Sequence, residues 1–383
     1  MSRGGRNVSA AMPARPPSMR RRRRLVTAFS ALAVSALMCA ACGGGGTAAE
    51  STAEVTVAQS PDDAVEASDA AVEVVRLAMP TEPLWQWLVD SGALAEWEQR
   101  NGVRVEASHP FRPFTAFVSG HADIILVDAL NIPVFTAETG GSPLIIGKYS
   151  SDRSIAAAKR TSSATDLAGE VEGRIAVESS MGSTLLWALI VEQAHGLELR
   201  EDSQDFEFFT ATFGLADAVT SGDAEACICQ PEQSAGGLSE GMLRPLYEGA
   251  SATELYTELS GVSEPLIGQV FLTSSEWYER NKATAGRFLE LWDDALRHWH
   301  GSYAEVIAQY PELLSVQSDR EIAWLAAYVA EHNWMASSVH LSAADADLYH
   351  SALDQLRARG LIEPDAPTPW VVTARPSADQ QES

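Results

Sequence analysis

One short phrase occurs twice in this chain, 102 residues apart. Ser119-Gly120-His121-Ala122-Asp123 runs into the apolar Ile124 to Val127 and stops at Asp128, and Ser221-Gly222-Asp223-Ala224-Glu225 runs into Ala226 to Cys229 and stops at Gln230. A second pair lies upstream at an offset of 98. Arg76-Leu77-Ala78-Met79 leads into a helical stretch containing Trp85, and Arg174-Ile175-Ala176-Val177 leads into one containing Trp187. Each half therefore reads strand, turn, helix, strand, helix, Ser-Gly turn, strand, the grammar of an open α/β sheet with crossover helices. Two α/β lobes are expected. The competing reading is chance, since such a Ser-Gly corner commonly joins a helix to a strand.

The 383 residues, 46% of them hydrophobic and 21% charged, supply enough apolar mass for one large or two medium cores. The formal charge of -25 comes from 52 acidic and 27 basic residues. Eight of the basic residues precede position 42, where there is no Asp or Glu, leaving 19 basic against 52 acidic residues and a net of -33. Such a body repels nucleic-acid backbones and anionic membrane faces, so neither is expected as a partner.

The N-terminus has a different chemistry. Arg20 to Arg24 is followed by an apolar run from Leu25 to Met38 that ends in small residues and a cysteine. A positive segment, a short apolar segment and a small-residue cut site describe a signal peptide, and the run is shorter than the roughly 20 residues of a spanning helix. A retained membrane anchor is the alternative. Ala40-Ala41-Cys42-Gly43 resembles a bacterial lipobox, with Cys42 the lipidated residue of an exported, outward-facing membrane lipoprotein and Cys39 the alternative. Residues 1–41 are thus expected as signal peptide and 42–71, small, polar and acidic, as a disordered tether. Only Cys227 and Cys229 then remain, too few for a disulfide framework.

Beyond Ser274 the pattern turns helical, with Trp277, Phe288, Leu291, Trp292 and Leu296 at helical spacing, then helices over 319–332 and 343–360. With crossovers near Ser154 and Ile267, the domains read as 72–153 for the first part of lobe 1, 154–267 for lobe 2, 268–373 for a largely helical return to lobe 1, and 374–383 for a disordered tail.

In open α/β sheets ligands sit outside the carboxyl ends of strands. Four segments fall there: Pro80 to Trp85, Asp128 to Asn131, Glu178 to Thr184 and Gln230 to Glu232. The candidate ligand contacts are Thr81, Glu82, Trp85, Asp128, Ala129, Ser179, Ser180, Gly182, Ser183, Thr184, Gln230 and Glu232. The Ser179–Thr184 loop follows a strand and opens a helix, so its free N–H groups, glycine and hydroxyls make an anion cradle without a lysine; alternatively Ser183 or Thr184 only caps the helix. The four segments contain Glu82, Asp128, Glu178 and Glu232 and no Lys or Arg, which favours a ligand with a cationic or hydrogen-bond-donating end. Glu82 is expected to face the hydroxyl-rich loop across the cleft. Trp85 either walls the site, covering an ammonium, or belongs to a helix core.

These segments resemble, in this order, the periplasmic substrate-binding proteins of taurine, alkanesulfonate, nitrate and thiamine-precursor importers, the SsuA-like family. The residues that carry the resemblance are Thr81-Glu82-Pro83, the corner from Phe114 to Asp123, Asp166-Leu167-Ala168-Gly169 through Ile175-Ala176-Val177, and Ser179 to Leu186. It implies a two-lobed periplasmic-binding-protein type II clamshell, each lobe an open, mostly parallel sheet with flanking helices, plus a helical C-terminal region. It also implies closure over a small zwitterionic or anionic ligand and delivery to an ABC permease with its ATPase, with no catalysis and no cofactor; a monomer is expected. The sequence departs from the family in two places. Cys229-Gln230-Pro231-Glu232 stands where a Trp-Asp-Pro is usual, and Asp128-Ala129-Leu130-Asn131 where a Gly-Ser-Ser phrase is usual. A taurine-like aminosulfonate or other amine-bearing solute therefore fits better than nitrate.

Other classes were weighed. No nucleophile elbow, zinc-protease helix, P-loop or dinucleotide fingerprint is present. Cys227 and Cys229 read as buried packing residues rather than half a metal site, and the eight histidines show no ligand spacing, so no metal is expected. A pyrimidine or thiamine-precursor binding or synthesis protein and a ligand-sensing lipoprotein remain the alternatives.

Overall fold

Asp123 and Glu225, the acidic ends of the two repeated corners, fasten equivalent strands. The Asp123 N–H donates to the carbonyl of Arg76 at 2.8 Å while its carboxylate accepts the Arg76 N–H at 2.9 Å. The Glu225 N–H donates to the carbonyl of Arg174 at 2.9 Å and its carboxylate accepts the Arg174 N–H. Gly120 and Gly222 precede them with φ of 73° and 95°, the left-handed conformation that lets a helix stop and turn back into a strand.

The computed structural model describes residues 72–170, 173–210 and 214–374, all within one compact unit that begins at Ser68. The expected signal peptide, Cys42, the tether and residues 375–383 of the expected tail lie outside the described residues. The first sheet begins with β1 (Glu73–Ala78), β2 (Val103–Ser108), β3 (Ile124–Asp128) and β4 (Pro143–Ser151). The chain then crosses over Asp152–Ser154 into a second sheet of β5 (Ile155–Lys159), β6 (Arg174–Val177), β7 (Glu207–Thr210), β8 (Ala226–Cys229) and β9 (Leu243–Pro245). It returns to the first through β10 (Ile267–Ser274) and ends with β11 (Trp370–Val371). Strand order is β2-β1-β3-β10-β4-β11 in one sheet and β7-β6-β8-β5-β9 in the other. The first five strands of the one order match the five of the other, with β10 and β5 in equivalent places, and the edge strand β11 has no counterpart.

Both of those strands arrive from the other lobe. They enter at the cleft end, with Ile155 opposite Cys229 and Gln269 opposite Asp128, and so run antiparallel to both neighbours. Each sheet is therefore mostly parallel, as expected, with β10 or β5 the one strand that runs against the rest. The two crossing segments meet tightly: a Cβ on Gly268 would lie 2.5 Å from the backbone nitrogen of Asp152, so only glycine fits there.

Central strands explain the apolar runs. Ile124 to Val127 in β3 and Ala226 to Cys229 in β8 have neighbours on both sides and are buried throughout. In the helix Ser183–His195 every residue from Thr184 to Val191 is buried, enclosed within the second lobe. In the first lobe the long helix Lys282–Gln309 brings Trp292 against Trp85, Tyr149 and Phe271, with ring centroids 6.1, 5.6 and 5.0 Å apart. Cys227 and Cys229, side by side on one face of β8 with Cα atoms 5.7 Å apart, are joined as a disulfide rather than lying as separate thiols. A link spanning one residue closes almost no chain, so packing still holds the lobe.

The C-terminal helices do more than return to the first lobe. Helix Ala343–Ala358 is tied there by the Lys148–Asp345 ion pair at 2.9 Å and by the Tyr349 hydroxyl donating to the Ala129 carbonyl. Its other end reaches the second lobe through Gln355 to Tyr256 at 2.9 Å and Arg359 to Glu192 at 2.8 Å. Helix Asp319–Glu331 likewise packs on the helix Pro231–Ser239 of the second lobe, with the Tyr328 hydroxyl donating to the Gly249 carbonyl. Among the described residues no helix is long and apolar enough to cross a membrane.

Candidate ligand-binding site

The carboxyl ends of β3, β6 and β8 converge on the Asp152–Ser154 crossover and enclose a cavity of about 110 Å³. Asp128 and Asn131 line it from the first lobe, Ser154 from the crossover, and Glu178, Ser179, Gly182, Ser183, Thr184 and Gln230 from the second. Two larger grooves of about 690 Å³ flank the molecule, one between helix Ala252–Ser260 and the 332–337 segment, the other between residues 134–138 and the 360–366 segment. The small cavity is the better candidate, because it lies where the ends of β3, β6 and β8, from both lobes, face each other.

Several of its wall donors are already engaged. The Gly182 N–H donates to Asn131 Oδ1 at 2.6 Å across the cleft, the Thr184 hydroxyl to the Ser179 carbonyl at 2.7 Å, and the Ser183 hydroxyl to Asp152 Oδ1 at 3.2 Å. Asp152 Oδ1 also accepts the N–H and hydroxyl of Ser154, whose oxygen in turn accepts Trp187 Nε1. The expected anion cradle at Ser179–Thr184 is thus partly engaged by local and inter-lobe bonds, none of which the order of residues reveals.

Acceptors also remain open. Gln230 Oε1 is buried with no donor. Asp128 is exposed on the cavity side, and its pKa is pushed up to about 7, first by desolvation and then by the nearby charges of Asp152 and Glu178, against the pull of Arg153 and a hydrogen bond with Gln269. Burial also raises Glu178. Three carboxylates near one cavity leave a deficit of positive charge, and among the described residues lining that cavity there is no Lys or Arg. The described residues hold no group of three or more His, Cys, Asp or Glu placed to bind a metal ion.

Beside the cavity lies an ion-pair network. Arg153, next to Ser154 in the crossover, makes a bidentate pair with Glu232, Nε to Oε1 at 3.0 Å and Nη2 to Oε1 at 2.5 Å, and its guanidinium lies 5.3 Å from the ring centre of Trp334. Burial disfavours the guanidinium charge, but Glu232 outweighs it and raises the Arg153 pKa. Glu82 accepts the Tyr149 hydroxyl at 3.1 Å. Its pKa is pushed up to about 7 by burial, against the pull of Arg153 and Tyr149 and reinforced by Glu232.

Of the twelve candidate contacts, Asp128, Ser179, Gly182, Ser183, Thr184 and Gln230 line the cavity. The other six are elsewhere. Glu82 and Glu232 belong to the Arg153 network, so Glu82 meets Arg153 and Tyr149 rather than the hydroxyl-rich loop. Trp85 is a core residue stacked on Trp292, with 7% of its surface exposed, because the helix Pro83–Asp90 turns that face onto Lys282–Gln309. Ala129 is fully buried, Ser180 borders the larger groove, and Thr81 is exposed. Sequence reasoning missed Arg153, Asp152 and Ser154. Their signal was the polar quartet Ser151-Asp152-Arg153-Ser154 between two apolar runs, at the expected crossover.

No protein-family model and no curated protein matches the chain. Solved structures do, and they define a fold, that of the periplasmic binding proteins. The aliphatic sulphonate binding protein SsuA of Escherichia coli superposes with a TM-score of 0.61 at 17% identity, covering 76% of this chain and 94% of its own. The alkanesulfonate-binding SsuA of Xanthomonas axonopodis pv. citri, bound to MOPS, gives 0.61 at 17% identity, covering 79% and 98%. The ligand-binding component of an ABC-type import system from Staphylococcus aureus, with zinc bound, gives 0.53 at 11% identity, covering 79% and 97%.

Proposed function

We propose that this chain is an exported, lipid-anchored solute-binding protein of an ABC importer. It captures a small amine-bearing or zwitterionic solute, such as a taurine-like aminosulfonate, between its lobes and passes it to the permease. It is a carrier, not an enzyme. The fold shared with proteins described as ligand-binding components of import systems supports the carrier role, and the run from Arg20 to Cys42 supports export and anchoring. The observation that carries the ligand class is the acidic cavity lined by Asp128, Glu178 and the donorless Gln230 Oε1, with no Lys or Arg among its described lining residues. An ammonium brings the charge and the N–H groups these lack. A volume of about 110 Å³, well under the roughly 300 Å³ where drug-sized sites begin, selects a small molecule.

A thermal-shift screen of the protein with amino acids, aminosulfonates, polyamines, pyrimidines and plain sulfonates tests this. A true ligand at 100 times its dissociation constant stabilises the folded state by about 2.7 kcal/mol. Shifts confined to ligands without an amine overturn the ligand class.

A further inference from the structure

We propose that Glu232 sets the charge of the ligand this cleft accepts, by occupying the guanidinium of Arg153, which an anionic ligand group would otherwise bind. The inference rests on the solute-binding reading above and adds to it a residue that decides between ligand classes.

Arg153 sits at the junction of the lobes. Its neighbour Ser154 lines the cavity, as do Gln230 and Gln233 on either side of Glu232. Both Arg153 and Glu232 are largely enclosed, with side chains 16% and 8% exposed, and the pair is bidentate. The Trp334 ring lies 5.3 Å from the guanidinium and fixes its position. An arginine so placed, planar, permanently charged and beside a ligand cavity, is well suited to receive a sulfonate or carboxylate. Here the Nε and Nη2 fork of the guanidinium already holds a carboxylate of the same chain. Glu82, hydrogen-bonded by Tyr149, stands close enough to add a second acidic group to the same cation. The charge of Arg153 is matched by Glu232, and an incoming anion that takes over the Nε and Nη2 fork would have to displace Glu232 and bury its carboxylate unpaired. An ammonium displaces nothing, because its partners Asp128 and Gln230 lie on the cavity side. The pair thus rejects plain anions and leaves the acidic cavity to cations and zwitterions, a form of selectivity by repulsion.

The test compares ethanesulfonate with taurine, which differ by an amine, on the full-length protein and its Glu232→Gln variant. Calorimetry should show wild-type protein binding ethanesulfonate at least ten-fold more weakly than Glu232→Gln, and the gain should vanish in the Glu232→Gln, Arg153→Met double variant. A folded Glu232→Gln protein with no gain for ethanesulfonate overturns the proposal. So does wild-type protein whose melting temperature rises with ethanesulfonate as much as with taurine, a measurement that needs no variant to fold. The two readings fail separately. If Glu232→Gln gains ethanesulfonate while no amine-bearing probe stabilises wild type, the ion-pair inference stands and the amine reading falls. If taurine binds wild type and Glu232→Gln gains nothing for ethanesulfonate, the reverse holds.

Discussion

Burial gives Glu82 and Asp128 a shared pH signature with two separate readouts. The Glu82 carboxyl is held to about 7 in the folded protein against its ordinary 4.5, so between these values the folded state binds more protons than the unfolded chain. Its contribution is fully present below about pH 4.5 and is lost as pH rises through about 7, amounting to up to about 3 kcal/mol. Denaturant unfolding at pH 5 and pH 8 should show wild-type stability falling with pH, and Glu82→Gln should flatten that fall; an unchanged slope removes Glu82 as its source. Asp128 shifts in the same direction, but its open face tempers the effect on stability and moves the readout to binding. Asp128→Asn should weaken taurine by about 1.5 to 3 kcal/mol, the range for a hydrogen bond to a charged group. Taurine affinity should also fall as pH drops below 7 in wild type and stay level in the variant, and titration calorimetry across pH 5.5 to 8.5 decides it.

The repeated corner is the element where sequence and structure agree best, because everything it needs is local. A helix must stop, a glycine must turn left-handed, and an acid must meet the strand beside it, so the phrase survives in the order of residues and the two sheets share one order over five strands. The two acids are nevertheless unequal. Asp123, with a side chain 10% exposed, accepts the N–H of Arg76 and two of its guanidinium donors, whereas Glu225 is exposed and accepts the Arg174 N–H. Asp123→Ala should therefore cost about 2 to 3 kcal/mol and Glu225→Ala about 1 kcal/mol, and urea unfolding that finds the two equal would show that the guanidinium bonds contribute nothing. The cleft was less legible for the opposite reason. Arg153 and Glu232 are 79 residues apart and Gly182 and Asn131 are 51 apart, and no local pattern tells which donor a fold will spend on which acceptor. Trp85 was ambiguous because an aromatic at helical spacing looks the same whether it faces a core or a ligand. The antiparallel entry of β5 and β10 follows from the crossovers, and these were placed in the sequence without their direction.

At the scale of the whole molecule, the proposed export and the proposed motion on binding are separable questions. If residues 1–41 are removed and Cys42 is lipidated, intact-mass measurement of protein from a membrane fraction should show that loss together with a lipid adduct, and Cys42→Ser should abolish the adduct; a soluble product keeping Met1 sinks the idea. The motion is constrained by what crosses between the lobes. Two chain crossings meet at Gly268 and Asp152, a natural hinge, but helix Ala343–Ala358 holds the first lobe by Asp345 and Tyr349 and the second by Gln355 and Arg359. Opening about that hinge must stretch or break the contacts at one end of this helix. The weaker end is the second-lobe one, a single neutral hydrogen bond and a half-exposed ion pair, against a buried Lys148–Asp345 pair at the other. Small-angle scattering should show a modest compaction of wild type with saturating taurine. In a Gln355→Ala, Arg359→Ala variant the unliganded radius of gyration should increase and the liganded one stay near wild type, because the strap is cut on the side where it yields. Equal unliganded radii for the two proteins would place the resistance to opening in the hinge or in the packing of helix Asp319–Glu331 on helix Pro231–Ser239.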